Sequence, residues 1–142
     1  MDETQEPLGY LGSLIRRAQQ RHVAVWLTEV STEVTSVQYA ALAVLTHQPG
    51  MSQRELGDAL DIDRSTVAGI VSRLERDGLI ARITDPDDGR RKVLTPTPQG
   101  QRAYAELKPK VVRAQDVLAA ELDAQQRQQL NALLRILVTD SP

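Results

Sequence analysis

SQRELGDALDIDRSTVAGIVSRLERDGLIARITDPDDGRRKVLT, residues 52–95, is the stretch on which the fold turns. Ser52 with Glu55 three positions later has the form of a capping box, in which each side chain satisfies a free backbone N–H at the other's end. Leu56 and Leu60 then point inward from a short helix. Asp61-Ile62-Asp63 reads as a turn, and Asp63 caps a second helix that runs to about Asp77. Val67, Ile70, Val71 and Leu74 recur at helical spacing and form its buried face. Gly78 supplies the left-handed exit that a helix C-terminus often needs. Leu79–Thr84 reads as a strand, Asp85-Pro86-Asp87-Asp88-Gly89 as a turn chosen for backbone preference, and Arg91–Thr95 as the returning strand. Helix, turn, helix and hairpin in this order make a winged helix-turn-helix: a mainly α fold with a small β-hairpin wing.

Outward from this unit, Thr97 caps a long helix with Pro98 in its first turn, reaching about Leu122 with a kink expected at Pro109. Asp123 with Gln126 looks like another cap, opening a last helix that carries Leu130, Leu133, Leu134 and Leu137. On the other side, Thr35 or Ser36 caps a helix with Val37, Ala41, Val44 and Leu45 on its apolar face, stopped near His47 by Pro49-Gly50. A first helix spans about Leu8 to Val30 after Glu6-Pro7, and Leu11, Ile15, Ala18, His22 and Trp26 form one buried stripe along it. The chain thus reads as a single domain, 1–142, with a DNA-reading lobe at 36–97 and terminal helices at 8–34 and 98–142. The terminal helices lie outside that lobe yet carry broad apolar stripes. A second copy of the chain is the simplest cover for them, so a homodimer is expected.

Composition sets the outer limits. The 142 residues suffice for one domain with a sizeable core. A formal net charge of −2 means that positive charge toward nucleic acid has to be placed locally. The sequence contains no cysteine, which removes disulfides, thiol redox sensing and cysteine-ligated zinc. The two histidines, His22 and His47, are far apart and make a poor metal site, and no cofactor motif is present. No run is long and apolar enough to span a membrane and the acidic start MDETQEPLG is unlike a signal peptide, so a cytoplasmic protein is expected. No nucleophile elbow, phosphate-cradling glycine loop or HExxH occurs, and an enzyme is not expected.

The chemistry-bearing residues therefore sit in the helix-turn-helix. Arg64, Ser65, Thr66, Gly69, Ser72 and Arg73, with Arg76 beyond them, fall on or near the face opposite Val67, Val71 and Leu74. Short hydroxyls near a helix start suit phosphates and base edges, and arginine suits guanine O6 and N7. Gln53 and Arg54, at the start of the preceding helix, suit phosphates. Arg90 and Arg91 flank the wing tip, where a narrow minor groove attracts arginine. The nearby Asp85 and Asp88 suggest that one arginine is held internally while the other reaches DNA, with Arg90 the one assigned to DNA. The simpler reading of these charges is a solvated helix face, and arginines late in the helix pair readily with Glu75 or Asp77.

The helix-turn-helix, the passage RLERDGLIAR (73–82), the wing DPDDGRRKVLT (85–95) and TPQG (97–100) together resemble the MarR family of bacterial transcription regulators over nearly the whole chain. The resemblance implies a homodimer with interlocking terminal helices, recognition helices in successive major grooves of a double-stranded operator, and wings at minor grooves. It also implies a repressor whose DNA affinity falls when a small phenolic or aromatic acid enters a crevice between dimer region and DNA-binding lobe. Two features depart from the pattern. Ala68 and Gly69 stand where many relatives carry longer polar side chains, and the N-terminal cysteine of peroxide-sensing relatives is missing. The segment LGYLGSLIRRAQQRHVAVW (8–26) is similar to members that regulate aromatic-acid catabolism, which would make Arg16 and His22 ligand residues. Arg16 would hold a carboxylate through paired charge-assisted hydrogen bonds. His22 would sit near the ring and Trp26 would supply a wall, although a histidine or tryptophan on an apolar stripe is more often plain core. Two other readings remain: a winged-helix module that binds protein, and a regulator with no small-molecule effector.

Overall fold

The structure, a computed structural model, describes residues 9–139. Among the described residues six helices and one hairpin follow each other as α1 (Leu11–Glu29), α2 (Ser36–His47), α3 (Gln53–Leu60), α4 (Arg64–Arg76), β1 (Ile80–Thr84), β2 (Lys92–Pro96), α5 (Pro98–Leu118) and α6 (Ala124–Leu137). The start placed at Leu8 and the Glu6-Pro7 lead-in lie outside the described residues.

Five of the six helices begin in the same way. Thr35, Ser52, Asp63, Thr97 and Asp123 each accept a hydrogen bond from the backbone N–H three residues on, a donor that has no partner within the helix. Thr35 with Gln38 and Asp123 with Gln126 close full capping boxes. The box expected at Ser52 is only half formed. Glu55 takes the Ser52 hydroxyl instead of its backbone N–H, because its carboxylate is turned toward the guanidinium of Arg91 in the wing.

The turn between α3 and α4 is made by Asp61 in the left-handed region (φ 55°). It is closed by the Ile62 N–H on the Gly57 carbonyl. Gly57 lets α4 pack closely there, since a Cβ would sit 3.2 Å from Val67 Cγ1 and that side chain would have to give by a few tenths of an ångström. The wing strands pair antiparallel with Ile80 opposite Pro96 and Arg82 opposite Leu94. Both strands lie one residue later at their starts than the sequence suggests, and Arg91 belongs to the turn, its N–H on the Asp88 carbonyl and its own carbonyl accepting from Asp85. Leu94 also bridges to Met51, which sequence reading missed: a single bridging residue has no periodicity to show.

TPQG has a packing explanation. The Thr97 hydroxyl donates to the Gly78 carbonyl while accepting from the Gly100 N–H. Gly100 lies so close to Leu79 that a Cβ would come within 1.9 Å of its carbonyl oxygen. The motif thereby welds the first turn of α5 onto the exit of α4. α5 ends at Leu118, four residues earlier than expected, and remains one α-helix through Pro109.

Two hydrophobic cores result. The larger unites Ala41, Leu42 and Leu45 of α2 with Leu56, with Val67, Ile70, Val71 and Leu74 of α4, and with Leu79, Ile80 and Leu94. The smaller holds Trp26, Val30, Leu107 and Ala114. Val34 packs against both. The buried face of α2 is Gln38, Ala41, Leu42 and Leu45, while Val37 is exposed, a rotation of the face by about one residue from the sequence reading. The α1 stripe is corrected more strongly. Within the protomer Trp26 is buried and His22 half-buried, but Leu11 is 61% and Ile15 43% exposed. Those residues instead line one side of an open apolar groove of about 510 Å³, with Leu118, Leu130, Leu134 and Leu137 on the other.

Candidate nucleic-acid interface and ligand crevice

α4 presents Arg64, Ser65, Thr66, Gly69, Ser72 and Arg73 to solvent. Its N-terminus is organised by Asp63, which accepts from the Thr66 N–H and from the hydroxyls of both Ser65 and Thr66. The Thr66 backbone bond, followed by the two hydroxyls, holds the Asp63 carboxyl below its ordinary range. This revises the role expected of Ser65 and Thr66. Their protons are engaged, so toward an outside partner these hydroxyls offer lone pairs rather than donors. Gly69 has nothing within 4 Å of where a Cβ would stand. Arg76 pairs with Asp77 at 3.6 Å, whereas the Arg73 side chain makes no ion pair or hydrogen bond among the described residues.

In the wing the two arginines differ. Arg91 is bound to Glu55 of α3, and its Nε lies 3.8 Å from Asp85. The Arg90 side chain is exposed and unpaired among the described residues, and its backbone N–H is taken by Asp88. Asp88 therefore shapes the turn instead of clamping a guanidinium.

Gln53, Arg54 and Arg64 come together with Val67 around an open hollow of about 360 Å³. Its remaining wall is Arg82, which the sequence reading left aside because an arginine in a short strand carries no motif of its own. Arg82 donates to Gln53 Oε1 (3.0 Å) and approaches Glu75 at 3.8 Å.

On the opposite side, Trp26 lies under the α1–α2 loop and donates its indole N–H to the Val34 carbonyl (2.7 Å). Val23, Trp26, Leu27 and Val34, with Ser31, Thr32, Thr35 and Ser36, line a hollow of about 150 Å³. Rings extend from here in sequence: His22 edge-on to Trp26 (6.3 Å), Trp26 to Tyr39 (5.8 Å), Tyr39 stacked on Tyr104 (5.5 Å), and Tyr104 against His47 (6.0 Å). Burial, then the neighbouring Tyr104, raises the Tyr39 phenol above its usual value. Tyr39 and Tyr104 were missed as members of this region. The signal was there, since a chain with three tyrosines, one tryptophan and no phenylalanine places its few rings selectively.

The three proposed ligand residues do not share one hollow in the protomer. Trp26 lines the smaller one, His22 the apolar groove, and the exposed Arg16 neither. Six residues apart, Arg16 and His22 are separated by about 9 Å along the α1 axis and by roughly a third of a turn around it. Among the described residues no cluster of three metal-ligating side chains occurs, and no helix is long and apolar enough to cross a membrane.

Comparison with known proteins matches residues 32–91 to the MarR family. The chain is 37% identical over 131 residues to a regulatory protein assigned to the hcr operon of Thauera aromatica, covering 91% of this chain and 79% of that one. The PcaV transcriptional regulator of Streptomyces coelicolor, solved with its natural ligand, superimposes with a TM-score of 0.85 at 42% identity, over 91% of this chain and 92% of that one. BpsR of Bordetella bronchiseptica, whose DNA binding is regulated by 6-hydroxynicotinic acid, superimposes with a TM-score of 0.88 at 30% identity, over 94% and 96% of the two chains.

Proposed function

The chain belongs to the MarR family of DNA-binding transcription regulators, a family of non-enzymes, and on that premise we propose that it is a homodimeric repressor released from a pseudo-palindromic operator by a small phenolic or aromatic carboxylic acid. The observation that carries the effector half is the junction at Trp26. A hollow of about 150 Å³ opens there between the core of the terminal helices and the loop leading into the DNA-reading lobe. An engineered apolar cavity of about this volume takes up benzene, so one aromatic ring fits.

Support comes from the relatives. PcaV is described with its natural ligand and BpsR with a hydroxylated aromatic acid that regulates its DNA binding. Arg16 is the cation proposed to take the carboxylate. It lines neither hollow in one protomer, so the Arg16 proposed to meet a ring held near His22 and Trp26 is that of a second copy packed on α1. The open groove of α1 and α6 is the surface for that copy.

Release follows from population shift. DNA requires two recognition helices about 34 Å apart, one turn of the duplex. A ligand at the junction weakens DNA binding only as far as it favours a dimer with another spacing. Thermal unfolding against benzoates, hydroxybenzoates, hydroxycinnamates and salicylate tests the reading. A true effector at ~100 times its dissociation constant stabilises the native protein by about 2.7 kcal/mol. The stabilisation is expected for a narrow set of carboxylated phenols and is lost in Arg16→Ala. A flat response across the whole panel rejects the aromatic-acid effector and leaves DNA binding standing.

A further inference from the structure

We propose that Arg82 is a positioning residue for DNA binding: it orients Gln53 and closes an arginine-lined hollow that seats one backbone phosphate of the duplex. The inference rests on the DNA-binding reading and concerns a residue to which that reading gave no role.

The geometry points to an anion. The hollow is walled by Gln53, Arg54, Arg64 and Arg82 over Val67, three guanidinium groups without a carboxylate in the lining. It lies between the first residues of α3 and of α4, the two helix starts of the helix-turn-helix, and helix starts carry unpaired N–H groups and positive dipole ends. At about 360 Å³ it holds a tetrahedral anion with several waters, each occupying roughly 30 Å³. The chain is net negative, so three arginines around one concavity are a local concentration against the overall charge.

Arg82 does more than add charge. A guanidinium is donor-only, so the Gln53 amide must turn its oxygen to Arg82, as the 3.0 Å bond shows. That leaves the Gln53 NH₂ free to donate. Glu75, 3.8 Å from Arg82 Nε, holds the other end of the fork from α4. Arg82 thus spans β1, α3 and α4, and fixes the wing strand relative to both helices while its remaining N–H groups border the hollow.

Binding of a labelled random-sequence duplex, followed by anisotropy across a salt series, tests this, because a phosphate contact is independent of sequence. Losing one phosphate contact per protomer lowers the slope of log K against log salt by about 0.9 per protomer. Arg82→Gln is expected to show that loss. Arg82→Lys keeps the charge and the slope but cannot hold both Gln53 and Glu75, and is expected to bind several-fold more weakly. Gln53→Ala should weaken binding with the slope unchanged. Circular dichroism of each variant verifies folding, and Arg54→Gln reads the same hollow if Arg82→Gln does not fold. An Arg82→Gln or Arg54→Gln protein with the wild-type slope overturns the phosphate seat, and an Arg82→Lys protein with wild-type affinity overturns the positioning role. Inorganic phosphate replacing chloride at constant ionic strength separates the two sources of anion. A phosphate-specific thermal stabilisation of the wild type that Arg82→Gln lacks, found together with a wild-type salt slope in Arg82→Gln, would overturn the assignment to DNA in favour of a free anion. Failure of the wild type to bind duplex at any salt would reject the DNA-binding reading itself, an outcome distinct from all of these.

Discussion

At the scale of single residues, two positions show how little chemistry is needed to hold a large consequence. Gly100 is where α5 touches the exit of α4, and a methyl group there would overlap the Leu79 carbonyl. Gly100→Ala is expected to destabilise the fold by about 3 kcal/mol, since backbone rather than a flexible side chain has to yield. Denaturant unfolding at fixed protein concentration measures it, and an unchanged midpoint would contradict the contact. Asp63 is the second position. Its carboxyl is held below the ordinary value of 3.8 by the Thr66 N–H and the two hydroxyls, so the charged form is the one that favours the folded state. That contribution is fully present above pH 3.8 and is lost as pH falls through the lower folded-state value. Asparagine also caps helices but does not titrate in this range. The stability difference between wild type and Asp63→Asn should therefore shrink as acid is added, and a difference independent of pH would exclude the mechanism.

At the scale of elements, the caps and exits were the legible part. Thr35, Asp63, Gly78, Thr97 and Asp123 act in the structure as their types and spacings suggest, because a helix terminus is decided within three or four residues. Ser52 shows where this reasoning stops: Glu55 has the right spacing for a capping box, but Arg91, 36 positions away, competes for it. The facing of α2 was misjudged for a related reason. Gln38 is buried by its cap and Val37 is left outside, a choice made by Thr35 and not by hydrophobicity. α4 allows a cleaner prediction. Nothing surrounds Gly69, and glycine inside a helix costs about 0.8–1.0 kcal/mol relative to alanine. Gly69→Ala should raise stability by about that amount. If the bare backbone serves close approach to DNA, duplex affinity should fall in the same protein. A variant that is more stable and binds as tightly would show that Gly69 has no part in recognition.

At the scale of the whole molecule, the terminal helices leave Leu11, Leu14, Ile15, Leu130, Leu134 and Leu137 around a groove that one protomer does not fill. A single charge in such a surface is costly to bury without a partner. On the proposed homodimer, Leu134→Glu is expected to give a monomer in sedimentation velocity and to remove most duplex affinity, since two linked half-sites become one. A Leu134→Glu protein that still sediments as a dimer would place the interface elsewhere. Val34 packs against both cores and the ring series from Trp26 to Tyr104 runs beside it, while α5 also touches the DNA-reading lobe at Gly100 and Ala103, so on the proposed release mechanism these contacts are where a shift of the terminal helices would be passed on.

Local sequence alone determined the order of elements, their capping and the winged helix-turn-helix, because hydrophobic period, turn chemistry and caps are each settled over a few residues. The set of exposed cations was legible for the same reason. What those cations do to one another was not. That Arg91 is tied to Glu55, that the Arg90 and Arg73 side chains have no ion pair among the described residues, that Arg82 holds Gln53, and that Trp26 and His22 border different hollows while Arg16 borders neither are outcomes of side chains brought together from distant segments. The sequence identifies which groups can donate, accept or carry charge, whereas only the tertiary structure fixes the distances and orientations over which hydrogen bonds and ion pairs act.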